Sequence, residues 1–267
     1  MMNTSNLINE IIKRRKASKD NDFNYYNSIA EDHIRAQREP LSNCIKKAKG
    51  TSIISEIKPA SPTLGEIRRD LNIISIVNQM ERAAVIGLSI LTEPNYFKGS
   101  YENLKLAVDN SHLPCLLKDF IIDEIQLKIA QKLGATNVLL INSIIDISKF
   151  YPICLDYGLE PLIEIHAIEE IRDLEHLIEI GFRPTLVGVN NRDLKSLKID
   201  LNHSIEIIPK LKNIFGSEVK VVSESGIKTR EQIKYVQASG ADAYLIGSSI
   251  MQSRNIFQKI KELRGNQ

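Results

Sequence analysis

The chain has 267 residues, 43% of them hydrophobic and 25% charged, which is ample material for a packed core and excludes a disordered chain. Lys and Arg number 35 against 33 Asp and Glu, a net charge of +2, so broad electrostatic attraction to nucleic acid or anionic lipid is excluded. A local basic cluster can still bind a small anion.

From the N-terminus, Leu7, Ile8, Ile11 and Ile12 start an amphipathic helix. The following Lys13-Arg14-Arg15-Lys16 has no apolar stretch of signal-peptide type around it and reads as a solvated helix face. Ser28–Gln37 suits a further helix, and Pro40-Leu41-Ser42 marks a break. Short apolar, β-branched runs then recur, each followed by a polar or Gly-rich turn and a helix-period segment. They are Ser52–Ile57, Gly87–Leu91, Cys115–Lys118, Asn137–Ile141, Pro161–Ile165, Leu186–Val189, Lys220–Val222 and Ala243–Ile246. Between them, Ile73, Ile74, Val77, Met80, Ala83 and Ala84 fall on one helical stripe, and the helical patterns at Glu124–Ala130 and Ile168–Ile180 end near Gly134 and Gly181.

Strands alternating with helices predict a parallel sheet buried on both faces, and eight right-handed units most simply close into a (β/α)8 TIM barrel. An open doubly wound sheet is the alternative, but no GxGxxG follows any run. Residues 1–50 read as an N-terminal helical extension packed on a barrel of residues 51–267, one domain in all, because about 45 residues rarely hold a core alone. Cys44, Cys115 and Cys154 are too few for a disulfide framework and lack the pairing of a structural zinc site. The five histidines are scattered with no HExxH, and no apolar run is long enough for a membrane span. A reducing cytoplasm is the expected compartment.

Strands of a parallel barrel should be nearly continuous hydrophobics. Here Glu56 lies near the end of the first run and Lys58 just after it, Lys118 ends the third, Glu164 lies in the fifth, Asn190 and Arg192 follow the sixth and Glu224 the seventh. All strand C-termini open onto one barrel face, where barrel active sites sit. Glu56 and Lys58, two apart, point to the same side. Burying such charges for structure alone tends to cost more than it returns. Ser225-Gly226 after the seventh strand and Gly247-Ser248 after the eighth, before a helix starting near Ser249, suit a phosphate: glycines let backbone N–H groups approach an anion, and a helix N-terminus favours negative charge.

These segments resemble indole-3-glycerol-phosphate synthase. Glu56-Ile57-Lys58-Pro59-Ala60-Ser61-Pro62-Thr63 is similar to that family's ExKxxSPS stretch. Leu91–Ser100, Leu117-Lys118-Asp119-Phe120, Pro161–His166, Gly188–Leu194, Ser223–Ile227 and Leu245–Ser249 follow in family order. The resemblance implies decarboxylating ring closure and dehydration of 1-(2-carboxyphenylamino)-1-deoxyribulose 5-phosphate in tryptophan biosynthesis, with no cofactor and no metal. It implies Lys118 as general acid for the condensation, its pKa open to lowering by burial, and Glu164 in acid/base work. Lys58 would hold anionic groups and act as an acid in the dehydration. Glu56, Asn190, Arg192 and Glu224 would hold ribulose hydroxyls, the anilino nitrogen or the carboxylate. Ser61 joins the substrate site, Phe97 and Phe120 flank the anthranilate ring, and Ser225, Gly226, Gly247 and Ser248 cradle the phosphate. Thr63 stands where the family usually has Ser, and Ala167 follows His166 where an acid is common; His166 reads as structural.

Two other readings compete. A phosphoribosylanthranilate isomerase-like barrel would need a poised cysteine and aspartate, which Cys44 and Cys115 do not supply. A non-catalytic phosphate-sugar-binding module would not keep Lys58, Lys118 and Glu164. The expected partner is a small phosphorylated substrate, with no nucleic acid and no membrane, for a monomer with at most weak contact to other tryptophan-pathway enzymes.

Overall fold

In the computed structural model, which describes residues 4–29, 38–194 and 196–265, the eight apolar runs are the strands of one closed parallel barrel. They are β1 (Ile53–Ile57), β2 (Gly87–Leu91), β3 (Cys115–Lys118), β4 (Asn137–Ile141), β5 (Glu160–Ile165), β6 (Leu186–Asn190), β7 (Lys220–Glu224) and β8 (Ala243–Ile246). Neighbours pair in chain order and β8 returns to β1. β2, β3, β4 and β8 begin and end where the sequence placed them. β6 and β7 run further, through Asn190 and Glu224, which pair in register. Polar side chains do not end a strand whose last rung opens on a mouth rather than on the core.

Helices cover the outside. α4 (Ile73–Arg82) starts at Asn72, whose side chain accepts from Ser75 N, and buries Ile73, Ile76, Val77 and Met80. Ile74 is exposed and Ala84 lies beyond the helix at positive φ, so the stripe turns through Ile76 instead. α5 (Tyr101–Asp109) follows β2. α6 (Glu124–Leu133) opens on an Asp123/Gln126 capping box and, as its sequence predicts, closes at Gly134 in the left-handed region. The Ile168–Ile180 segment begins as one 3-10 turn before α8 (Ile171–Glu179), α7 (Ile147–Asp156) having preceded β5. α9 (Asn202–Phe215), α10 (Arg230–Gln237), a four-residue α11 (Ser248–Met251) and α12 (Ile256–Arg264) complete the coat. No helix among the described residues is long and apolar enough to cross a membrane.

The N-terminal extension packs at both ends of the cylinder. α1 (Thr4–Ala17) and α2 (Lys19–Ser28) come first; of the helix expected over Ser28–Gln37, Ser28 ends α2 and residues 30–37 lie outside the described residues. Pro40 does not merely break the chain but caps α3 (Leu41–Lys47). α3 plugs the N-terminal ends of the strands: Leu41 N donates to Asn137 Oδ1 at 3.2 Å and Ser42 N to Glu160 Oε2 at 3.1 Å. Leu41 also fills the space that a side chain at Gly87 would need. At the other end α1 turns Leu7 and Ile11 inward. Together with Leu41 and Ile45 they join the lumen cluster of Ile54, Leu116, Leu139, Leu162, Leu186, Val222, Ala243 and Leu245.

Candidate active site

A cavity of about 430 Å³ opens at the C-terminal ends of the strands, and every residue singled out above as a site candidate lines it. Its floor follows from strand geometry. Inward-facing residues of alternate strands meet in layers of four, and Ile54, Leu116, Leu162 and Val222 from β1, β3, β5 and β7 form a buried apolar layer. Two residues on along each strand, the same face carries Glu56, Lys118, Glu164 and Glu224.

Lys118 Nζ donates to Glu164 Oε2 at 3.2 Å and to Glu224 Oε2 at 2.9 Å. Burial would lower the Lys118 pKa, as its sequence setting suggested, but Glu224, Glu164 and Glu56 outweigh it and hold the ammonium well above its ordinary value. Burial opposes ionisation of Glu164 too, yet Lys118 and His166 keep it well below the usual carboxylate range. Glu224 goes the other way: burial first, then the Glu164 charge, push it up to about 8 against the pull of Lys118. Two carboxylates beside one ammonium are thus pushed in opposite directions. Glu224 fits because Gly188 of β6, two residues before its register partner Asn190, carries no side chain; a Cβ there would collide with Glu224 Oε1.

On β1's side, Lys58 Nζ lies 2.6 Å from Glu56 Oε1, the shared pocket that two-residue spacing predicts. Gly247 is needed for Glu56, since a Cβ at 247 would collide with its carboxylate. The loop after β1 forms a two-residue antiparallel ladder, Ala60–Ser61 with Gly65–Glu66, and buried Ser61 Oγ accepts from Leu64 N at 3.1 Å. Thr63 also lines the cavity, its Oγ1 3.5 Å from Ser61 Oγ.

Arg192 is half-buried; burial lowers its pKa, and Glu56 raises it. Its Nη1 donates to the Leu197 carbonyl at 3.0 Å and its backbone N to Asn190 Oδ1 at 3.0 Å, so the guanidinium is held over the mouth rather than lying free on the surface. Phe97 and Phe120 stand with ring centroids 6.2 Å apart. Buried Glu93 fixes Phe97's loop by accepting from the backbone N–H groups of Asn95, Tyr96 and Phe97 at 2.9, 2.7 and 3.0 Å. On the far side Ser225 (φ 67°) and Gly226 (φ 92°) take the left-handed region, turning the chain where Ile199 leaves no room for a side chain at 226. The helix expected near Ser249 starts at Ser248, and its first-turn N–H groups have no intrahelical acceptor.

Three contributors escaped the sequence reading. Asn191 ties the strand ends together: its Nδ2 donates to Ser223 Oγ, Glu224 O and Ser225 O, and its Oδ1 accepts from Ser204. His166 is not remote: its Nε2 is 3.2 Å from Glu164 Oε1, and although burial opposes its charge, Glu164 raises its pKa. Leu7, Ile8 and Ile11 of α1 form part of the cavity wall; their apolar period was visible, but not which end of the barrel they would cover.

A family model described as indole-3-glycerol phosphate synthase matches residues 8–263. The indole-3-glycerol phosphate synthase of Methanocaldococcus jannaschii is 42% identical over 258 residues, 94% of this chain and 92% of that protein. That of Nautilia profundicola is 37% identical, covering 97% of this chain and 98% of its own. Among solved structures, a thiamine phosphate pyrophosphorylase from Pyrococcus furiosus superposes with a TM-score of 0.60 at 14% identity, covering 84% of this chain and 96% of that one. That last likeness is one of fold.

Proposed function

The chain belongs to the indole-3-glycerol phosphate synthase family, and on that premise we propose that the charged rung at the barrel mouth closes the indole ring, with Lys118 as its acid. The observation that carries this is Lys118 held between Glu164 and Glu224 on one cavity with Lys58, Arg192 and the two phenylalanines.

The reaction converts 1-(2-carboxyphenylamino)-1-deoxyribulose 5-phosphate to indole-3-glycerol phosphate, carbon dioxide and water, which makes the protein a carbon–carbon lyase. In the condensation, the ring carbon bearing the carboxylate bonds to the ribulose carbonyl carbon, and Lys118 donates a proton to the carbonyl oxygen. The bond to the carboxylate then breaks, carbon dioxide leaves, and the electron pair restores aromaticity. In the dehydration the new hydroxyl departs as water with a proton from Lys58, while Glu164, kept ionised by Lys118 and His166, takes a proton from the neighbouring ring methylene, whose C–H electron pair becomes the ring double bond. Ribulose hydroxyls that engage Glu224 draw it away from Lys118, loosening the ammonium's hold on its proton. Glu56 and Asn190 orient hydroxyls or the anilino nitrogen, and Arg192 meets the carboxylate with its planar fork. Ser61 completes the substrate contacts. Phe97 and Phe120 flank the carboxyphenyl ring. Backbone N–H groups around Ser225, Gly226, Gly247 and Ser248 hold the phosphate.

The isomerase alternative lacks its acid/base cysteine at the mouth: Cys115 opens β3 and Cys44 lies on α3, both at the plugged end. We place the protein in the cytoplasm, working without cofactor as a single-domain monomer. Purified protein given the carboxyphenylamino substrate should develop indole fluorescence with one carbon dioxide per turnover. Binding without turnover would leave the non-catalytic module instead.

A further inference from the structure

Arg15, read from the sequence as part of a solvated basic run, is buried, its side chain 2% exposed. It shares a stripe of α1 with Leu7 and Ile11 at four-residue spacing. Its Nη2 donates to Asp22 Oδ2 of α2 at 2.9 Å and to Tyr101 Oη of α5 at 3.0 Å, and Tyr101 Oη donates to Asp22 Oδ1 at 3.1 Å. Its Nε lies 3.2 Å from Asp119 Oδ1. Asp119 is itself clamped, accepting from Thr92 Oγ1 and from Phe120 N, both at 2.8 Å. One guanidinium thus joins α1, α2 and α5 to the residue lying between Lys118 and Phe120.

Such a cluster is a poor way to gain stability. Well-packed apolar residues of similar volume often do as well as a buried ion pair or better, and burial pushes Asp119 up to about 6 despite Arg15. What the guanidinium provides is direction. The apolar contacts of Leu7 and Ile11 fix the sliding and rotation of α1 less sharply, because apolar burial is non-directional. Hydrogen bonds to Asp22 and Tyr101 and the ion pair to Asp119 resist both. The two turns that precede Arg15 on that helix line the cavity together with Phe97 and Phe120.

We propose that Arg15, acting through Asp119, is a positioning residue for the aromatic half of the substrate: it sets where the Leu7–Ile11 end of α1 stands over Phe120 and so shapes the slot for the carboxyphenyl ring. This rests on the reading that the ring lies between Phe97 and Phe120.

Steady-state kinetics of Arg15→Met test it, with inorganic phosphate as an inhibitor at the opposite end of the cavity. KM should rise about tenfold with kcat within about threefold, the phosphate inhibition constant should not move, and Arg15→Lys should fall between. A folded variant with wild-type KM, or one whose phosphate constant rises in step with KM, overturns the proposal. Tyr101→Phe, which removes one hydroxyl from the cluster, covers the case where Arg15→Met does not fold: KM about threefold higher supports the proposal, and an unchanged KM sinks it. Hydrogen exchange keeps the question separate from the reaction itself. Amides 7–11 should lose protection in the variant while β1–β8 keep theirs, and unchanged protection at 7–11 overturns the proposal even if turnover of the wild type were never seen.

Discussion

Ile54, Leu116, Leu162 and Val222 make an apolar rung across the barrel, and two residues further along the same strands Glu56, Lys118, Glu164 and Glu224 make a charged one. Both rungs are buried except for partial exposure at Lys118. Strand geometry cannot distinguish them, since alternation points both the same way. Position does: the lower rung has further lumen beneath it, the upper one opens on the cavity. The lower rung also conditions the upper. By excluding water from below, it leaves Lys118 and its carboxylates in a medium where their interactions are stronger than in solvent. That is why their pKa values move apart instead of settling at ordinary ones.

The comparison breaks most visibly at Lys118. Lys118→Ala should cut kcat by about 10²–10⁴, the range expected for a lost general acid, while substrate binding stays measurable by equilibrium titration. Near-normal turnover would remove Lys118 from its role. Leu116→Ala, two residues earlier on β3, should do the reverse. Denaturant melts should show a loss of about 2–5 kcal/mol for a buried Leu cut to Ala, with kcat within about tenfold at temperatures where the variant is folded. A Leu116 variant as inactive as Lys118→Ala yet fully stable would mean the two rungs are not divided as drawn.

Both rungs were legible in the sequence to different depths. The apolar one is simply the barrel pattern, and the strands β2, β3, β4 and β8 could be bounded from it to the residue. The charged one announced itself by breaking that pattern at Glu56, Lys118, Glu164 and Glu224, so its members were visible one by one. Their pairing was not. Which carboxylate ionises depends on distances of about 3 Å between alternate strands, which never pair and whose side chains meet only across the closed barrel, and the upward shift of Lys118 needs three carboxylates assembled from three strands. Arg15 was hidden for a subtler reason. Within Lys13-Arg14-Arg15-Lys16 four like residues look alike, and only the four-residue step from Leu7 and Ile11 separates the buried one. Asn191 and Glu93 were hidden because they bond mainly to backbone, which leaves no periodic trace.

The smallest expected effect sharpens the comparison by separating charge from volume within the upper rung. Glu224→Gln keeps the shape and removes the titration. The folded-state value of about 8 lies above the ordinary 4.5, so the native protein binds this proton more tightly than the unfolded chain does. Its contribution favours folding fully below the unfolded value and is lost as pH rises through about 8. Wild type should therefore lose stability relative to Glu224→Gln between about pH 5 and pH 9, by at least about 1 kcal/mol, roughly the worth of one pKa unit. Urea melts of both proteins across that range measure it. Parallel stability curves would mean that Glu224 is ionised throughout, so that Lys118 neutralises both of its carboxylates instead of leaving one to carry a proton.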